Sequence, residues 1–323
     1  MMNRREFARS VAGAAAGAAV AAGTARAAAY AHDAGLASEE AAGGAGYKVS
    51  VMLWTVFRGQ PFAQRLEKVA EAGYHAVELV DEFKGWTKED FAAARKKKDE
   101  LGMEIDATAG VWHALADAND REVFLKNLRE FAGTMHELEC PKLVLQTGNA
   151  VQGLSREAMR ENCMETLKRA GDIAAENKIE LLVENIDQIE NPKYYLMSCA
   201  EGFEIVRAVG HPQVKFLCDF YHEQIAEGNL IAKLDKNIDL IGLVHVADVP
   251  GRHEPGTGEI NYPNIYRKLA ELGYDRYMAM EFLPQGEPVG ALRTAREAAL
   301  KIGGSERKTS ASSGDSRRFH ATA

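Results

Sequence analysis

Short apolar segments alternate with longer amphipathic segments eight times along the chain. Apolar segments of about four to eight residues are typical of buried parallel strands, and amphipathic segments with apolar positions every three to four residues are typical of surface helices. The predicted strands are Val49–Val56, His75–Val80, Met103–Val111, Lys142–Gly148, Ile179–Asn185, Val214–Phe220, Ile241–Asp248 and Tyr277–Phe282. The predicted helices are Phe62–Ala72, Lys88–Leu101, Glu122–Leu138, Arg156–Asn177, Ala200–Val209, Glu223–Leu234, Tyr262–Leu272 and Val289–Lys301.

Eight strand–helix pairs predict an α/β fold, and they favour a single (β/α)8 TIM barrel over an open doubly wound sheet. The predicted barrel occupies residues 47–302, which fits the length of about 250 residues that is typical of this fold. No GxGxxG follows the first strand and no GxxxxGK[ST] occurs in the chain. The sequence therefore lacks the usual signatures of dinucleotide and nucleoside triphosphate sites.

The two ends of the chain have a different composition from the barrel. Residues 1–29 contain Arg4 and Arg5, a weakly apolar Ala/Gly-rich segment, and small residues suited to cleavage after Ala27 or Ala29. This segment resembles a twin-arginine signal peptide, which predicts export to the periplasm. Its apolar part is shorter than the span of about 20 residues that a bilayer requires, so stable membrane insertion is not expected. Residues 30–46 are interpreted as a flexible spacer, and residues 303–323 as a disordered tail.

Charge and cysteine content narrow the function classes further. The chain has 47 acidic and 39 basic residues and a net charge of −8. This balance gives no basic footprint for a nucleic-acid partner. No two of the four cysteines are spaced as CxxC, so we predict that they are small buried side chains.

Acidic or imidazole side chains end four successive predicted strands. They are Glu184 in ELLVEN, Asp219 in VKFLCDFYH, His245 in IGLVHVAD and Glu281 in YMAMEF. Taken singly, Asp219 has an alternative interpretation as a helix N-cap, and His245 as an ordinary core residue. Taken together they predict a metal site, because the carboxyl ends of barrel strands meet on one face. Three carboxylates and one imidazole suit a divalent Mn, Mg or Co ion.

The segment PGRHEPGTGEINY (residues 250–262) directly follows the seventh predicted strand. Its prolines and glycines predict a rigid loop that presents Arg252 and His253 near the metal site. An arginine there could bind a carboxylate through two parallel hydrogen bonds. A surface turn with solvated basic residues remains the alternative.

This loop, together with HVAD before it and YPNIYRKLAELGYD after it, resembles the hydroxypyruvate isomerase family. That family is one of the xylose isomerase-like barrels, which also include ketose 3-epimerases and endonuclease IV. The resemblance covers residues 47–302 and is strongest from Glu180 to Glu281.

The resemblance implies a role for each matching residue of this chain. Glu184 and Glu281 would be paired metal-binding carboxylates that act as acid and base, and Asp219 and His245 would be the other metal ligands. The residues implied for substrate binding or for shaping its loop are His222, Arg252, His253 and Glu259.

The predicted reaction is the isomerisation of a small 2-oxo-3-hydroxy acid, with hydroxypyruvate becoming tartronate semialdehyde through a cis-enediolate. Three alternatives stay open: a ketose 3-epimerase or other sugar isomerase, a nuclease of the endonuclease IV type, and an exported binding protein for a sugar acid. His245 bears on the first alternative, because ketose epimerases carry His where some hydroxypyruvate isomerases carry Gln. The expected partner is a small sugar or hydroxy-oxo acid, and homo-oligomer formation is left open.

Overall fold

Eight parallel strands close into a barrel in which each strand pairs with its neighbours in sequence and the last pairs with the first. The structure is a computed structural model that describes residues 44–315, with the side chains of residues 44–305. The strands are β1 (Lys48–Met52), β2 (Ala76–Leu79), β3 (Glu104–Thr108), β4 (Lys142–Gln146), β5 (Glu180–Glu184), β6 (Val214–Asp219), β7 (Ile241–Val246) and β8 (Tyr277–Met280). This architecture confirms the predicted (β/α)8 TIM barrel.

Helices follow the strands and surround the barrel. They are α1 (Phe62–Glu71), α2 (Lys88–Glu100), α3 (Arg121–Leu138), α4 (Arg156–Asn177), α5 (Cys199–Val209), α6 (Phe220–Ala226), α7 (Leu230–Asn237), α8 (Tyr262–Glu271) and α9 (Pro288–Asp315). The single helix predicted at Glu223–Leu234 is wrong, because two helices occupy this region. Gly228 and Asn229 separate them with φ angles of 65° and 55°, which an α-helix does not accommodate.

The boundaries at the two ends of the barrel also differ from those predicted. Helix α9 continues to Asp315, beyond Ile302. A Cβ atom on Gly303 would lie 2.4 Å from Ala45 and from the Tyr47 hydroxyl, so the glycine allows close packing of α9 on the start of the barrel. Ala45 itself is buried, although the predicted spacer includes it. The predicted signal peptide (residues 1–29), most of the spacer and the last eight residues lie outside the described part of the chain.

The barrel interior contains a layer of small and aliphatic side chains beneath the carboxyl ends of the strands. This layer includes Leu182 on β5, Leu217 on β6, Leu243 on β7 and Ala279 on β8. Successive side chains of a strand point to opposite faces, so the residue two positions further along also points into the barrel. This alternation directs the last inward residue of each strand towards the mouth.

Two further expectations concern the described residues. The four cysteines are all buried, as predicted, and none of them forms a disulfide. Among residues 44–315, no helix combines the length and the apolar character needed to cross a lipid bilayer.

Candidate functional site

Glu184, Asp219, His245 and Glu281 form one buried group at the mouth of the barrel, which we call the strand-end cluster. Each follows an inward core residue of its strand by two positions, and each is at most 3% exposed. One ligand atom from each side chain lies within 4.8 Å of those of the other three. The structure therefore brings together the four residues that the strand ends indicate.

His245 lies at the centre of the strand-end cluster. Its Nδ1 is 2.7 Å from Oε2 of Glu281, 3.5 Å from Oε1 of Glu184 and 3.8 Å from Oδ2 of Asp219. Nδ1 thus faces one oxygen of each of the three carboxylates. Burial lowers the pKa of His245, but the carboxylates of Glu78 and Glu281 outweigh it and raise this pKa well above its usual value. Nδ1 of His245 and the facing oxygen atoms of Glu184, Asp219 and Glu281 therefore surround a common position.

This donor set fits a divalent cation. Three carboxylates and one neutral imidazole are ligands that Mn²⁺, Mg²⁺ and Co²⁺ accept, and one ligand atom from each of the four side chains lies within 4.8 Å of the other three. Burial raises the pKa of Asp219, which reflects the cost of holding its charge away from water. A bound cation would offset that cost.

Asp219 caps a helix and also faces the strand-end cluster. It is the N-cap of α6, and its Oδ1 accepts hydrogen bonds of 2.8 Å from the Tyr221 N–H and 3.1 Å from the His222 N–H. These bonds fix the carboxylate, so that Oδ2 faces His245. The helix cap thus orients the second oxygen towards the strand-end cluster.

Arg252 is the main positive charge beside the strand-end cluster, and only 4% of it is exposed. Its Nη1 donates to Glu190 at 2.7 Å, and its Nη2 lies 2.7 Å from Oε2 of Glu281. The guanidinium also lies over the rings of Trp54 and Tyr221, at 5.5 Å and 4.9 Å from their centroids. Burial lowers its pKa, but the nearby carboxylates raise it well above the usual value, so Arg252 stays charged.

The backbone at Arg252 is unusual, because its φ angle of 58° is rarely adopted by a residue with a side chain. Such a conformation costs about 1 kcal/mol and often occurs where a side chain has a functional contact. At Arg252 this backbone conformation occurs together with a guanidinium that points towards the strand-end cluster.

His222 is fully buried beside Arg252. Its Nδ1–H donates to Oδ2 of Asp187 at 2.6 Å, while Nε2 faces Oδ2 of Asp219 and Nη1 of Arg252 at 3.4 Å each. Asp187 is held in turn by the backbone N–H groups of Ile189 and Glu190. Burial lowers the pKa of His222, but Asp219 and Asp187 raise it above the usual value. His222 can therefore present a proton at Nε2.

The loop that contains Arg252 is organised by the buried carboxylate of Asp248. Its oxygens accept hydrogen bonds from the N–H groups of Val249, Gly256 and Ile260, which fixes both ends of the loop. A Cβ on Gly258 would lie 2.0 Å from the Val249 carbonyl oxygen, so only glycine fits there.

The structure gives His253 and Glu259 contacts within and around this loop. His253 Nδ1–H donates to the Leu283 carbonyl at 2.8 Å, and Glu259 accepts a 3.1 Å hydrogen bond from Gln224. These contacts agree with the implied role of His253 and Glu259 in shaping the loop of residues 250–262. Substrate binding by His253 stays a prediction.

Sequence reasoning missed five residues that contact the site. They are Trp54, Glu78, Gln146, Asp187 and Glu190. Trp54 Nε1–H donates to Oε1 of Glu281 at 2.7 Å, and Glu78 Oε2 lies 2.9 Å from Nε2 of His245. Gln146 Nε2–H lies 3.5 Å from Oε2 of Glu184. The signal for Glu78 was present, since it is a lone acid between the apolar residues Val77 and Leu79 of a strand.

Comparison with known proteins supports the fold and the enzyme class. The profile of the xylose isomerase-like TIM barrel family matches residues 66–301. The 2-oxo-tetronate isomerase of Cupriavidus necator is 30% identical to this chain over 243 residues, covering 71% of this chain and 90% of the relative. The hydroxypyruvate isomerase of Escherichia coli is 28% identical over 256 residues, covering 76% of this chain and 97% of the relative.

Among solved structures, the crystal structure of an AP endonuclease of family 2 from Brucella melitensis is similar with a TM-score of 0.70 and 28% sequence identity. The match covers 76% of this chain and 96% of that chain. The chain therefore belongs to the xylose isomerase-like TIM barrel family, and within that family it is an isomerase.

Proposed function

We propose that this protein is a divalent-metal-dependent isomerase of small 2-oxo acids that carry a hydroxyl group on the neighbouring carbon. The observation that carries this proposal is the convergence of Glu184 and Glu281, from β5 and β8, on the same position as Asp219 and His245. A substrate bound at this position has a carboxylate on each side. The names of the curated relatives, hydroxypyruvate isomerase and 2-oxo-tetronate isomerase, support the same substrate class.

The reaction we propose for hydroxypyruvate moves hydrogen between two adjacent carbons. A carboxylate removes a proton from the hydroxyl-bearing carbon, which gives a cis-enediolate. A proton is then added to the former carbonyl carbon, and another passes between the two oxygens. The product is tartronate semialdehyde, an isomer of the substrate, so no external oxidant or reductant is needed.

The chain supplies the groups for each part of this reaction. Glu281 or Glu184 removes the proton, and such general base catalysis contributes about 10² to 10⁴ in rate. Arg252 binds the substrate carboxylate through its planar guanidinium, and His222 donates a hydrogen bond from Nε2 to a substrate oxygen. The divalent cation, held by Glu184, Asp219, His245 and Glu281, would polarise the carbonyl and offset negative charge on the substrate oxygens.

The test is a screen of the metal-replete protein against hydroxypyruvate, 2-oxo-tetronate and free ketoses, followed by NMR in D₂O. We expect conversion of the 2-oxo acids with deuterium incorporation at the carbon that is reprotonated. Absence of turnover on both acids, with the protein folded and Mn²⁺ present, would contradict the proposal.

A ketose 3-epimerase is the second candidate, and His245 is the observation that favours it. The same pair of glutamates would remove and return a proton at one carbon of a ketose. Rapid epimerisation of free ketoses without turnover of hydroxypyruvate would select this candidate. Cleavage of abasic DNA would instead indicate a nuclease, and tight sugar-acid binding without product would indicate a binding protein.

We also propose that the protein is exported to the periplasm by the twin-arginine route. The support is the sequence pattern of Arg4, Arg5 and the Ala/Gly-rich segment after them. Replacing both arginines with lysine should retain the protein in the cytoplasm, and cell fractionation measures this. Equal periplasmic amounts of both forms would contradict export by this route.

A further inference from the structure

Glu78 is a fully buried carboxylate inside the barrel, on β2. It follows the inward core residue Ala76 by two positions, as the members of the strand-end cluster follow theirs. Its side chain therefore enters the barrel at the level of the strand-end cluster, although it belongs to the opposite half of the barrel. A charged group in this position costs several kcal/mol unless it has a partner.

The partner is His245. Oε2 of Glu78 lies 2.9 Å from Nε2 of His245, while Oε1 makes no hydrogen bond with any described residue. A carboxylate at this distance accepts the hydrogen on Nε2. In its neutral form the imidazole then carries its hydrogen on Nε2, so that the lone pair of Nδ1, which faces the three carboxylates of the strand-end cluster, is available to a cation.

We propose that Glu78 is a positioning residue that accepts the Nε2 hydrogen of His245 and so presents Nδ1 to a divalent cation. The inference rests on the proposed metal site and is independent of the substrate. A carboxylate that orients a histidine in this way fixes both its ring and its tautomer, and loss of such a partner typically costs about 10-fold to 100-fold in metal affinity.

Asp106 on β3 offers a matched control. It is also a carboxylate inside the barrel and is 1% exposed, but its Oδ2 accepts a 2.8 Å hydrogen bond from Ser50 instead of a histidine. Removal of its charge changes the interior electrostatics without removing a bond to the strand-end cluster. Comparison of the two residues therefore separates positioning from a general effect of charge.

The experiment measures Mn²⁺ affinity by calorimetry for the wild type, Glu78→Met, Glu78→Gln and Asp106→Asn at one pH. Circular dichroism and thermal unfolding check that each variant is folded. Methionine has a similar length but accepts no hydrogen bond, so we expect affinity to fall about 10-fold to 100-fold. The amide oxygen of glutamine still accepts the Nε2 hydrogen, so Glu78→Gln should lose less than Glu78→Met, and Asp106→Asn should stay within about threefold of the wild type.

Two results would overturn the inference: wild-type affinity in folded Glu78→Met, or an equal loss in Asp106→Asn. A structure of the Mn²⁺-loaded wild type adds a test that needs no variant, because binding of the ion by Nε2 would also overturn it. If Glu78→Met weakens Mn²⁺ binding as expected but no isomerase activity exists, the proposed reaction is wrong and the role of Glu78 stands. If the wild type binds no Mn²⁺, both proposals are wrong.

Discussion

The four residues of the strand-end cluster lie on β5, β6 and β7 or directly after β8, whereas the residues that contact those four lie on or directly after β1, β2 and β4. Trp54 follows β1 and donates to Glu281, Glu78 on β2 contacts His245, and Gln146 ends β4 beside Glu184. Glu78 and Gln146 point into the barrel by the same alternation of strand side chains as the strand-end cluster, whereas Trp54 lies in a 3₁₀ turn after β1. One half supplies ligand atoms, and the other half restricts their orientation.

Charge explains part of this division. The half formed by β5 to β8 concentrates carboxylates, and the loop after β7 supplies Arg252 as their counter-charge. In the other half, the groups that contact the strand-end cluster are one carboxylate, Glu78, and two neutral hydrogen-bond donors, Trp54 and Gln146. A neutral hydrogen-bond donor fixes the orientation of a carboxylate but does not neutralise it, so its negative charge stays available to a cation. The comparison predicts that substitutions in the strand-end cluster abolish activity, whereas substitutions of the residues that contact it (Trp54, Glu78 and Gln146) reduce activity only in part.

The largest effect is expected for Glu281→Gln. Glutamine keeps the size and the acceptor oxygen of the side chain but cannot remove a proton, so kcat should fall by about 10² to 10⁴. The measurement is turnover of the best 2-oxo acid at saturating Mn²⁺. Glu176→Gln, an exposed carboxylate on α4, is the matched control and should keep wild-type turnover. Wild-type kcat in Glu281→Gln would remove this residue from the reaction.

Trp54→Phe tests whether the supporting half acts through orientation. Phenylalanine retains an aromatic face for Arg252 but lacks the indole N–H that donates to Glu281 at 2.7 Å. A hydrogen bond to a charged group contributes about 1.5–3 kcal/mol, so kcat should fall about 10-fold to 100-fold while Mn²⁺ affinity changes little.

The matched control for this variant is Trp86→Phe, because the Trp86 ring packs on the rings of Phe62 and Phe91. Its turnover should match that of the wild type. Equal losses in the two variants would mean that tryptophan removal acts through stability instead of through Glu281.

The strand-end cluster could be predicted from the sequence for a physical reason. A charged residue that ends an apolar strand requires a partner, and barrel closure brings such residues together. The same reasoning applies to Glu78, which lies between the apolar residues Val77 and Leu79, although the family resemblance is strongest from Glu180 to Glu281 and does not extend its motif to β2.

Other site residues carry no comparable signal. Trp54 lies in a 3₁₀ turn at Leu53–Thr55, where the sequence predicts a continuing strand, so its direction could not be inferred from alternation. Asp187 and Glu190 lie in the loop after β5, and loops have no periodicity that fixes the direction of a side chain. The division of the helix after β6 likewise depends on two residues with positive φ.

Mn²⁺ affinity should depend on pH through His245. Burial lowers the pKa of this imidazole, but Glu78 and Glu281 raise it well above its usual value, so a proton competes with the cation for Nδ1 near neutral pH. Affinity should therefore rise with pH, by about tenfold per unit while His245 remains protonated in the metal-free protein. Calorimetry between about pH 6 and about pH 8 in buffers of different ionisation enthalpy measures both affinity and proton release. A flat profile without proton release would show that His245 is already neutral.

Gln146→Ala is expected to have the smallest effect and sharpens the boundary between the two halves. The Gln146 amide lies 3.5 Å from Glu184, at the outer limit of a hydrogen bond, and the side chain is partly exposed. Water can replace such a contact, so kcat should change by less than about threefold and Mn²⁺ affinity should not change. Steady-state kinetics on the best substrate measure this. A loss of kcat above about tenfold, with intact folding and Mn²⁺ binding, would instead mean that Gln146 contacts the reacting substrate. The supporting half would then take part in the chemistry itself.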